Sequence, residues 1–595
     1  MSITERIAAL RSVMKKNDLA AYIVPSSDPH QSEYVAPYWE ARIWLSGFTG
    51  SAGILVVTMD HAGLWTDSRY FIQAETQLKE TPITLHRQGP ARGPEHLEWL
   101  GEHLPKGAKV GIDGMLFSLS QNRTLVKILH QHKLELEIQH DLLPDIWSDR
   151  PTLPTEAIFA IEKKYTGMSR AEKLTQIRAK MDTKKVSHYL LSALDEIAWT
   201  FNLRGRDVAF NPVFIAYAVI ENTNAFLFVD PKKISPELTT ILKDEGILIK
   251  SYEAITDYLS SLSPDQTLLI DKATTSIGLY QHLDTESVKE GTSIVRHLKG
   301  IKNQVEIKNI RQAMRYDGVA LTRLYRWLEK NLVSDNPVTE AELADQLADF
   351  RSQQPGYYGE SFPAIVGYQA NGAIVHYRPE HGQSATIKAE GLLLLDSGGQ
   401  YHSGTTDITR TTALGPVTAD QRLHYTLVLK GHIGVAILHY PEGTKGYQID
   451  TLARQALWNA HLDYGHGTGH GVGFFLNVHE GPQSISSSAG RGSVPLSSGM
   501  LTSNEPGFYR SGEYGIRIEN LVLTTEAGDS DFGTFLKFDT VSLFPIDLTL
   551  VEIELLAPAE MQWLNEYHKL VFDELSPLLE AAEVEWLKDK CKIVD

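Results

Sequence analysis

Two acidic residues stand in adjacent apolar and β-branched stretches, Gly391-Leu-Leu-Leu-Leu-Asp396 and Gly404-Thr-Thr-Asp407-Ile-Thr-Arg410. The leucines predict a buried strand that ends in an acid, and Ser397-Gly-Gly399 predicts a turn into a second strand. The two carboxylates are therefore expected on neighbouring strands. Burying acids beside four leucines is costly unless a cation or a hydrogen-bond donor compensates. For either acid alone, a solvated hairpin tip would also explain the pattern.

Two histidines follow in the glycine-rich run His466-Gly-Thr-Gly-His470-Gly-Val-Gly. Their spacing matches the helix of zinc proteases, but that helix needs Glu after the first histidine and this chain has Gly467. Each interior glycine would also cost a helix about 1 kcal/mol. The run therefore predicts a tight loop or a strand. A phosphate-binding loop is disfavoured, because no Lys-Ser/Thr pair follows.

Two glutamates complete a set of metal-ligand types. Glu505 lies at a predicted turn in Thr502-Ser-Asn-Glu-Pro-Gly507, and Glu519 ends the strand-like Gly515-Ile-Arg-Ile-Glu-Asn520. Each glutamate alone is more typical of a protein surface. With the two aspartates and His470 they make an oxygen-rich set that suits a pair of Mn²⁺, Co²⁺ or Zn²⁺ ions better than a closed structural zinc site. Four carboxylates would balance the charge of two divalent ions.

The front half of the chain contains an internal repeat. Shifted by 167 residues, Glu5–Asp28 falls on Glu172–Asp195 without a gap, and each segment combines helical apolar spacing with an apolar run. Paired strands are predicted at Gly53–Thr58 with Gly63–Thr66, and at Phe214–Glu221 with Ala225–Val229. We therefore expect two related α/β domains, 1–150 and 151–301, with a hinge near Asp149–Pro154. The third domain, 302–595, is predicted to begin with a helix over Glu306–Trp327 and to end in one over Leu564–Lys592.

Composition restricts the class of partner and the compartment. The 595 residues include 56 Lys and Arg against 74 Asp and Glu, a net charge of −18. This balance argues against nucleic acid or an anionic membrane as the main partner. Cys591 is the single cysteine, Met1–Lys16 carries charges throughout, and no eighteen apolar residues run together. These features predict a cytoplasmic protein without a disulfide, a signal peptide or a membrane span.

The order Asp, Asp, His, Glu, Glu resembles that of the pita-bread metallopeptidases. Four further motifs resemble the three-domain aminopeptidase P branch, and the resemblance covers essentially the whole chain. The motifs are Asp28-Pro-His-Gln-Ser-Glu-Tyr34, Ser46-Gly-Phe-Thr-Gly-Ser-Ala-Gly53, Leu64-Trp-Thr-Asp-Ser-Arg-Tyr-Phe71 and Val478-His-Glu-Gly-Pro482. The resemblance implies two N-terminal domains like those of creatinase, a C-terminal pita-bread domain, and removal of the first residue from peptides with proline at position two.

The resemblance also implies roles for the five ligand-type residues. Two divalent ions, usually Mn²⁺ in this family, would share a hydroxide. Asp407 and Glu519 would bridge the ions, Asp396 would hold one of them, and His470 with Glu505 would hold the other. Two ions about 3.5–4 Å apart can lower the pKa of a shared water toward about 7 and stabilise a developing oxyanion. Glu505 would also accept and donate the proton.

Further residues are implied in substrate binding. His376, in Ala373-Ile-Val-His-Tyr-Arg378, would contact the substrate near the scissile carbonyl, and His479 would bind and polarise the region after the scissile bond. His466 would form the wall of the proline pocket, beside the ligand His470. Arg69, in Thr66-Asp-Ser-Arg-Tyr70, would approach the substrate, although a surface salt bridge explains it equally well.

Arg517 would orient the metal-binding carboxylates, since it stands two residues before Glu519 on the same side of the predicted strand. The branch commonly forms homodimers. Three alternatives remain at this point: a prolidase that cleaves only Xaa-Pro dipeptides, a creatinase-like hydrolase without metal, and a peptide-binding module. Two N-terminal domains favour the aminopeptidase over the prolidase, and the complete ligand set disfavours the other two.

Overall fold

The computed structural model describes residues 1–89, 93–334 and 336–594. The chain forms two compact units. The first consists of residues 1–162 and 168–295, and the second consists of residues 163–167 and the chain from residue 296 onward. The domain boundaries predicted from the sequence at 150 and 301 stay predictions.

The first unit opens with a six-stranded mixed sheet flanked by helices. Its elements in chain order are α1 Ile3–Lys16, β1 Ala21–Val24, α2 Ala41–Ser46, β2 Ile54–Thr58, β3 Ala62–Thr66, α3 Phe71–Gln77, β4 Thr84–Arg87, α4 Glu95–His103, β5 Lys109–Gly111, α5 Leu119–Gln131 and β6 Glu135–Glu137. The strand order is β4-β3-β2-β1-β5-β6. Strands β1, β2 and β3 pair antiparallel, and the outer pairings are parallel.

A second sheet of the same design follows. The elements in chain order are β7 Phe159–Ala160, α6 Lys163–Thr166, α7 Arg170–Lys184, β8 His188–Leu191, α8 Leu194–Thr200, β9 Leu203–Arg204, β10 Tyr217–Glu221, β11 Ala225–Phe228, α9 Pro236–Asp244, β12 Ile247–Lys250, α10 Ile255–Ser260, β13 Leu268–Ile270, α11 Ile277–Tyr280, β14 Val288–Glu290 and α12 Ile294–Gly300. Of these, α6 and all but the first two residues of α12 belong to the second unit. The order β12-β11-β10-β8-β13-β14 and the strand directions match the first sheet place by place. The predicted duplication is therefore confirmed at the level of the fold.

The repeat has a local physical cause at its helix starts. Ser2 and Ser169 are the N-caps of α1 and α7, and each forms a capping box with the glutamate three residues later. The same apolar positions then face inward, as Leu10 and Ile177 illustrate, both of which are fully buried. Equivalent caps and equivalent apolar spacing make both copies start in the same way.

The second unit combines long helices with short antiparallel sheets. Its elements after α12 are α13 Gln304–Val333, β15 Val338–Thr339, α14 Glu340–Ser352, β16 Tyr357–Glu360, β17 Ile365–Tyr368, β18 Thr386–Ile387, β19 Leu392–Ser397, β20 Gly399–Tyr401, β21 Gly404–Thr405, β22 Ile408–Ala413, α15 Ala419–Ala436, β23 His439–Pro441, α16 Gly446–Asn459, β24 Gly469–His470, β25 Ser484–Ile485, β26 Leu501–Asn504, β27 Gly507–Arg510, β28 Tyr514–Arg517, β29 Asn520–Ser530, β30 Gly533–Thr540, α17 Pro558–Leu575 and α18 Ala581–Lys590.

Two of its sheets carry the site. One has the order β17-β19-β22 and the other β23-β30-β29-β26, and the pairings within both are antiparallel. A core of buried apolar side chains joins α13 and α14 to the first of these sheets, with Leu324, Leu347, Leu393 and Leu395 among its members. Arg351 of α14 is also fully buried and bonds to Asp317 and Glu360.

Three predicted elements differ from the structure. Gly404–Arg410 is not one strand, because Thr406 and Asp407 lie between β21 and β22. The helix predicted over Glu306–Trp327 extends to Gln304–Val333. The helix predicted over Leu564–Lys592 is two helices, α17 and α18, separated at Ser576-Pro-Leu578, since proline lacks the N–H that would continue the helical ladder. Within the described ranges, no helix is both long enough and apolar enough to cross a membrane.

Candidate metal centre

The β19–β22 ladder brings the two aspartates together. In its antiparallel register Asp396 lies opposite Thr409, and Asp407 immediately precedes β22. Asp396 is the penultimate residue of β19, a strand whose four leucines are buried. Both carboxylates are therefore held at one end of the ladder with little access to water, and their exposed fractions are 8% and 4%.

His470 enters the same region on the short strand β24, as the prediction of a loop or strand implied. A Cβ on Gly469 would come within 1.9 Å of the Ser503 carbonyl oxygen, and one on Gly471 would come within 2.0 Å of the Glu480 carbonyl oxygen. The flanking glycines are thus required for close backbone packing. His470 Nδ1 donates to the Gly471 carbonyl at 3.0 Å, so Nε2 is the ring nitrogen that is left to face the carboxylates or to bind a metal ion.

The two glutamates lie in short connections between strands. Glu505 joins β26 to β27, and its backbone N–H donates to the Thr468 carbonyl at 2.8 Å. Glu519 joins β28 to β29, and its N–H donates to the Thr409 carbonyl at 3.1 Å. The Thr409 hydroxyl also donates to Glu519 Oε2 at 2.7 Å. Backbone bonds to the opposing segments therefore hold both glutamates in place.

Three of the five predicted ligand residues form a compact group, and the other two lie beside it. Asp407, His470 and Glu519 each offer a ligand atom within 4.8 Å of the others. His470 Nε2 lies 3.4 Å from Asp407 Oδ2 and 3.6 Å from Glu505 Oε1. Asp396 Oδ1 is buried and has no hydrogen-bond partner among the described residues. An orphaned buried carboxylate oxygen beside three more acids is suited to a cation.

The raised pKa values of the clustered acids indicate that their ionised forms lack a compensating positive charge. Burial raises the pKa of Glu519, and the negative charges of Asp407, Asp396 and Glu505 raise it further. Burial likewise raises the pKa of Asp396 and of Glu505. At His470, burial acts to lower the pKa, but the hydrogen bond to Asp407 and the charge of Glu505 outweigh it and raise the pKa to about 9. The residues present therefore fit a pair of divalent cations.

Arg517 links the cluster to a histidine. Its Nη2 donates to Asp396 Oδ2 at 2.5 Å, and its Nη1 donates to the Tyr509 hydroxyl at 2.6 Å. The Tyr509 oxygen lies 2.8 Å from His466 Nε2. His466 Nδ1 donates to the Gly467 carbonyl at 2.7 Å, so Nε2 accepts from Tyr509.

Sequence reasoning missed Tyr509 and Thr409, although signals for both were present. Tyr509 lies diagonally across the β27–β28 hairpin from Arg517, since Gly507 pairs with Arg517. The turn glycine of that hairpin, Gly512, could have indicated the register. Thr409 stands two residues after Asp407 in a predicted strand, which suggests the same face.

The remaining predicted histidines lie in two segments near the cluster. The His479 ring packs edge-on against His470, with centroids 4.3 Å apart. Glu480, the next residue, is buried and pairs with Lys299 at 2.9 Å and Lys302 at 3.3 Å. His376 follows Val375, whose carbonyl accepts a hydrogen bond from Arg517 Nη2 at 3.5 Å.

Arg69 belongs to the first unit. There its Nε and Nη2 donate to the two carboxylate oxygens of Asp67 at 2.8 and 2.7 Å. This bidentate pair is the salt bridge that the sequence left open as an alternative. The substrate-binding role of Arg69 stays a prediction.

Sequence models of known families match the chain along most of its length. Creatinase/Prolidase N-terminal domain models match residues 6–137 and 149–306. The Metallopeptidase family M24 model matches residues 308–526, which include all five ligand-type residues, and the C-terminal region of peptidase M24 matches residues 534–594. These matches confirm the predicted fold class of two related N-terminal domains followed by a pita-bread metallopeptidase domain.

Relatives that match this chain over nearly its whole length are named as Xaa-Pro or P-type aminopeptidases. The chain is 40% identical to Aminopeptidase P2 of Arabidopsis thaliana over 624 residues, covering 98% of this chain and 88% of the relative. It is 38% identical to Xaa-Pro aminopeptidase 1 of Dictyostelium discoideum over 612 residues, covering 100% and 97%. The crystal structure of X-prolyl aminopeptidase from Caenorhabditis elegans, described as a cytosolic enzyme with a di-nuclear active site, matches with a TM-score of 0.96, 34% identity and full coverage of both chains. The chain therefore belongs to the Xaa-Pro aminopeptidases of metallopeptidase family M24.

Proposed function

We propose that this enzyme hydrolyses the N-terminal Xaa-Pro bond of peptides and releases the first amino acid. The observation that carries the proposal is the grouping of the buried Asp407 and Glu519 with His470, beside the buried Asp396 and the half-buried Glu505, in a chain of this family. The names of the relatives favour a proline-directed aminopeptidase. The two N-terminal domains favour it over a dipeptidase, as expected from the sequence.

The metal ligands are proposed from the family resemblance together with the geometry. Asp407 and Glu519 would contribute to the binding of both of two divalent ions, Asp396 would help to hold one ion, and His470 with Glu505 would help to hold the other. We propose Mn²⁺ as the native ion, with Zn²⁺ and Co²⁺ as alternatives, because the donor set is rich in carboxylate oxygen. When bound, such ions would lower the pKa of a coordinated water and would draw charge from the carbonyl oxygen under attack.

The side chains of the site transfer the proton, contact the substrate and orient a metal-binding carboxylate. Glu505 accepts the proton of the attacking water and passes it to the departing proline nitrogen. His376 contacts the substrate near the scissile carbonyl, and His479, against the His470 ring, binds the region after the scissile bond. Arg517 orients Asp396 through the 2.5 Å hydrogen bond.

The preference for proline follows from the chemistry of the substrate. An Xaa-Pro bond is a tertiary amide, which has no N–H to donate and carries a ring of fixed shape. Specificity therefore comes from a pocket shaped to the ring. We assign one wall of that pocket to His466, whose ring is held by Tyr509 and by the Gly467 carbonyl.

The proposal also covers the cellular compartment, the oligomeric state and the substrates of the enzyme. We propose that it acts in the cytoplasm, as the C. elegans relative is described to do. We further propose a homodimer, which the family resemblance implies and which sedimentation would measure. Peptides with N-terminal Xaa-Pro are the expected partners.

The test begins with protein stripped by a chelator and restored separately with Mn²⁺, Zn²⁺ or Co²⁺. Each form receives an Xaa-Pro-Xaa tripeptide, an Xaa-Pro dipeptide and an Xaa-Ala-Xaa control. We expect metal-dependent release of the first residue from the Xaa-Pro tripeptide, with the control left intact. Cleavage of the dipeptide alone would show that the enzyme is a prolidase. Bound metal without cleavage of any peptide would indicate a binding module.

A further inference from the structure

A buried carboxylate with no role in the proposed reaction holds the segment that carries His376. Glu340, the first residue of α14, is 0% exposed. Its Oε1 accepts from the Tyr368 backbone N–H at 2.7 Å, and its Oε2 accepts from the Tyr377 hydroxyl and from the Ala385 N–H, both at 2.8 Å. Asn371 Nδ2 lies 2.9 and 3.0 Å from the two oxygens. One side chain thus contacts the start, the middle and the end of residues 368–385.

This segment has little regular structure of its own. A short 3₁₀ helix covers Gln369–Ala373, and the next strand, β18, begins only at Thr386. Residues 380–383 between them are exposed. Without a continuous ladder, the path of the backbone through His376 depends on side-chain bonds and on packing.

Close packing holds one side of the segment. A Cβ on Gly367 would lie 2.6 Å from the Gly372 Cα, and one on Gly515 would lie 1.7 Å from the Gly372 carbonyl oxygen. The 3₁₀ helix therefore sits directly on β17 and β28. Beyond the packed 3₁₀ helix, Tyr377 is the residue immediately after His376, and its hydroxyl bonds to Glu340. Burial and that hydrogen bond raise the pKa of Tyr377, so the hydroxyl stays protonated and donates.

We propose that Glu340 is a positioning residue that sets the backbone at His376 for the reaction. The inference rests on the proposed function, because it takes His376 as a residue that contacts the substrate. The chemistry of the site requires a carboxylate: all four partner groups donate, and an ionised carboxylate offers two oxygens and no donor. A glutamine there would turn its NH₂ toward a backbone N–H, either that of Tyr368 or that of Ala385.

The test compares Glu340→Gln with a matched control, Glu583→Gln. Glu583 is also a buried carboxylate near a helix start in the same unit, and it pairs with Arg323 and Arg326. For Glu340→Gln we expect two bound ions per chain, faster amide hydrogen exchange in residues 369–385, and a kcat for the Xaa-Pro tripeptide lower by on the order of 10- to 100-fold. For Glu583→Gln we expect the kcat and the exchange of that segment to stay as in the wild type.

A double-mutant cycle separates positioning from a general loss of structure. In a His376→Ala background, Glu340→Gln should lower kcat by less than about twofold, because the group that it positions is already gone. An equal loss in both backgrounds, or a wild-type kcat for Glu340→Gln alone, would overturn the proposal. Normal turnover by His376→Ala alone would instead remove His376 from the proposed function, and this inference with it.

A milder variant covers the case in which Glu340→Gln does not fold. Tyr377→Phe removes the hydroxyl, which donates to Glu340 and accepts from Asn371, and keeps the ring. We expect it to lower kcat severalfold with the metal content unchanged, and to lose that effect in the His376→Ala background. A wild-type kcat for Tyr377→Phe, together with an unfolded Glu340→Gln, would assign Glu340 to stability alone.

Discussion

Asp407 offers the sharpest test of the metal centre. Its side chain is 5% exposed, and its Oδ2 lies 3.4 Å from His470 Nε2. Asp407→Asn keeps the shape of the side chain and removes one negative charge. With two ions bound, the cluster of Asp396, Asp407, Glu505 and Glu519 would then carry three negative charges where the wild type would carry four.

The expected magnitude follows from Coulomb's law. At a separation of about 4 Å and an effective dielectric constant of about 20, two unit charges interact by about 4 kcal/mol. A carboxylate that faces divalent ions loses at least this much attraction when it becomes an amide. Since each 1.4 kcal/mol is a tenfold change, we expect binding of one ion to weaken by on the order of a thousandfold.

The assay equilibrates the stripped protein with buffered concentrations of free Mn²⁺ and counts the bound ions by elemental analysis. We expect Asp407→Asn to hold at most one ion per chain where the wild type holds two, and to lose nearly all turnover. Asp539→Asn is the control, because Asp539 pairs with Arg311 and Lys537 in a partly exposed position of β30. Two ions bound to Asp407→Asn with wild-type affinity would refute the assignment of Asp407 as a bridging ligand.

Three further outcomes are expected. His376→Ala should keep its metal and lose on the order of 10²- to 10⁴-fold in turnover, and normal turnover would contradict its role. Arg351→Met leaves the buried Asp317 and the half-buried Glu360 without their cationic partner, so the free energy of unfolding from urea titration should fall by about 3–5 kcal/mol; an unchanged midpoint would contradict this. Burial lowers the pKa of His568 from 6.5 to about 4, so the unfolded chain binds a proton that the folded chain does not. Stability should therefore fall as pH drops from about 6.5 to 4, less steeply in His568→Gln, and equal slopes would exclude this histidine.

Much of the fold could be predicted because its signals are local. The paired strands predicted near residues 53–66 and 214–229 form antiparallel hairpins within a few residues of the expected bounds. The repeat was visible because both copies need the same apolar spacing to bury the same helix faces. Local signals were weaker where strands are short, and the break at Thr406 and Asp407 between β21 and β22 went unpredicted.

The ligand types of the site were recognisable from the sequence, but their connections were not. Arg517 meets Asp396 across 121 residues, and Thr409 meets Glu519 across 110. No spacing rule reaches so far, since helix and strand periodicities relate only residues of one element. Glu340 gave no signal at all, because its partners become neighbours only when α14 packs beside β17 and β18.

By itself, the sequence determined the duplicated α/β architecture, the helix starts at Ser2 and Ser169, and the set of carboxylates and histidines available for metal. Capping residues, apolar spacing and turn glycines act between residues a few positions apart, so their effects can be read from the local sequence. The tertiary structure alone decided which oxygen of Asp396 is bound by Arg517 and which stays open, and how Glu340 holds the His376 segment. Those outcomes depend on hydrogen bonds between distant segments, whose geometry exists only after the cores have packed.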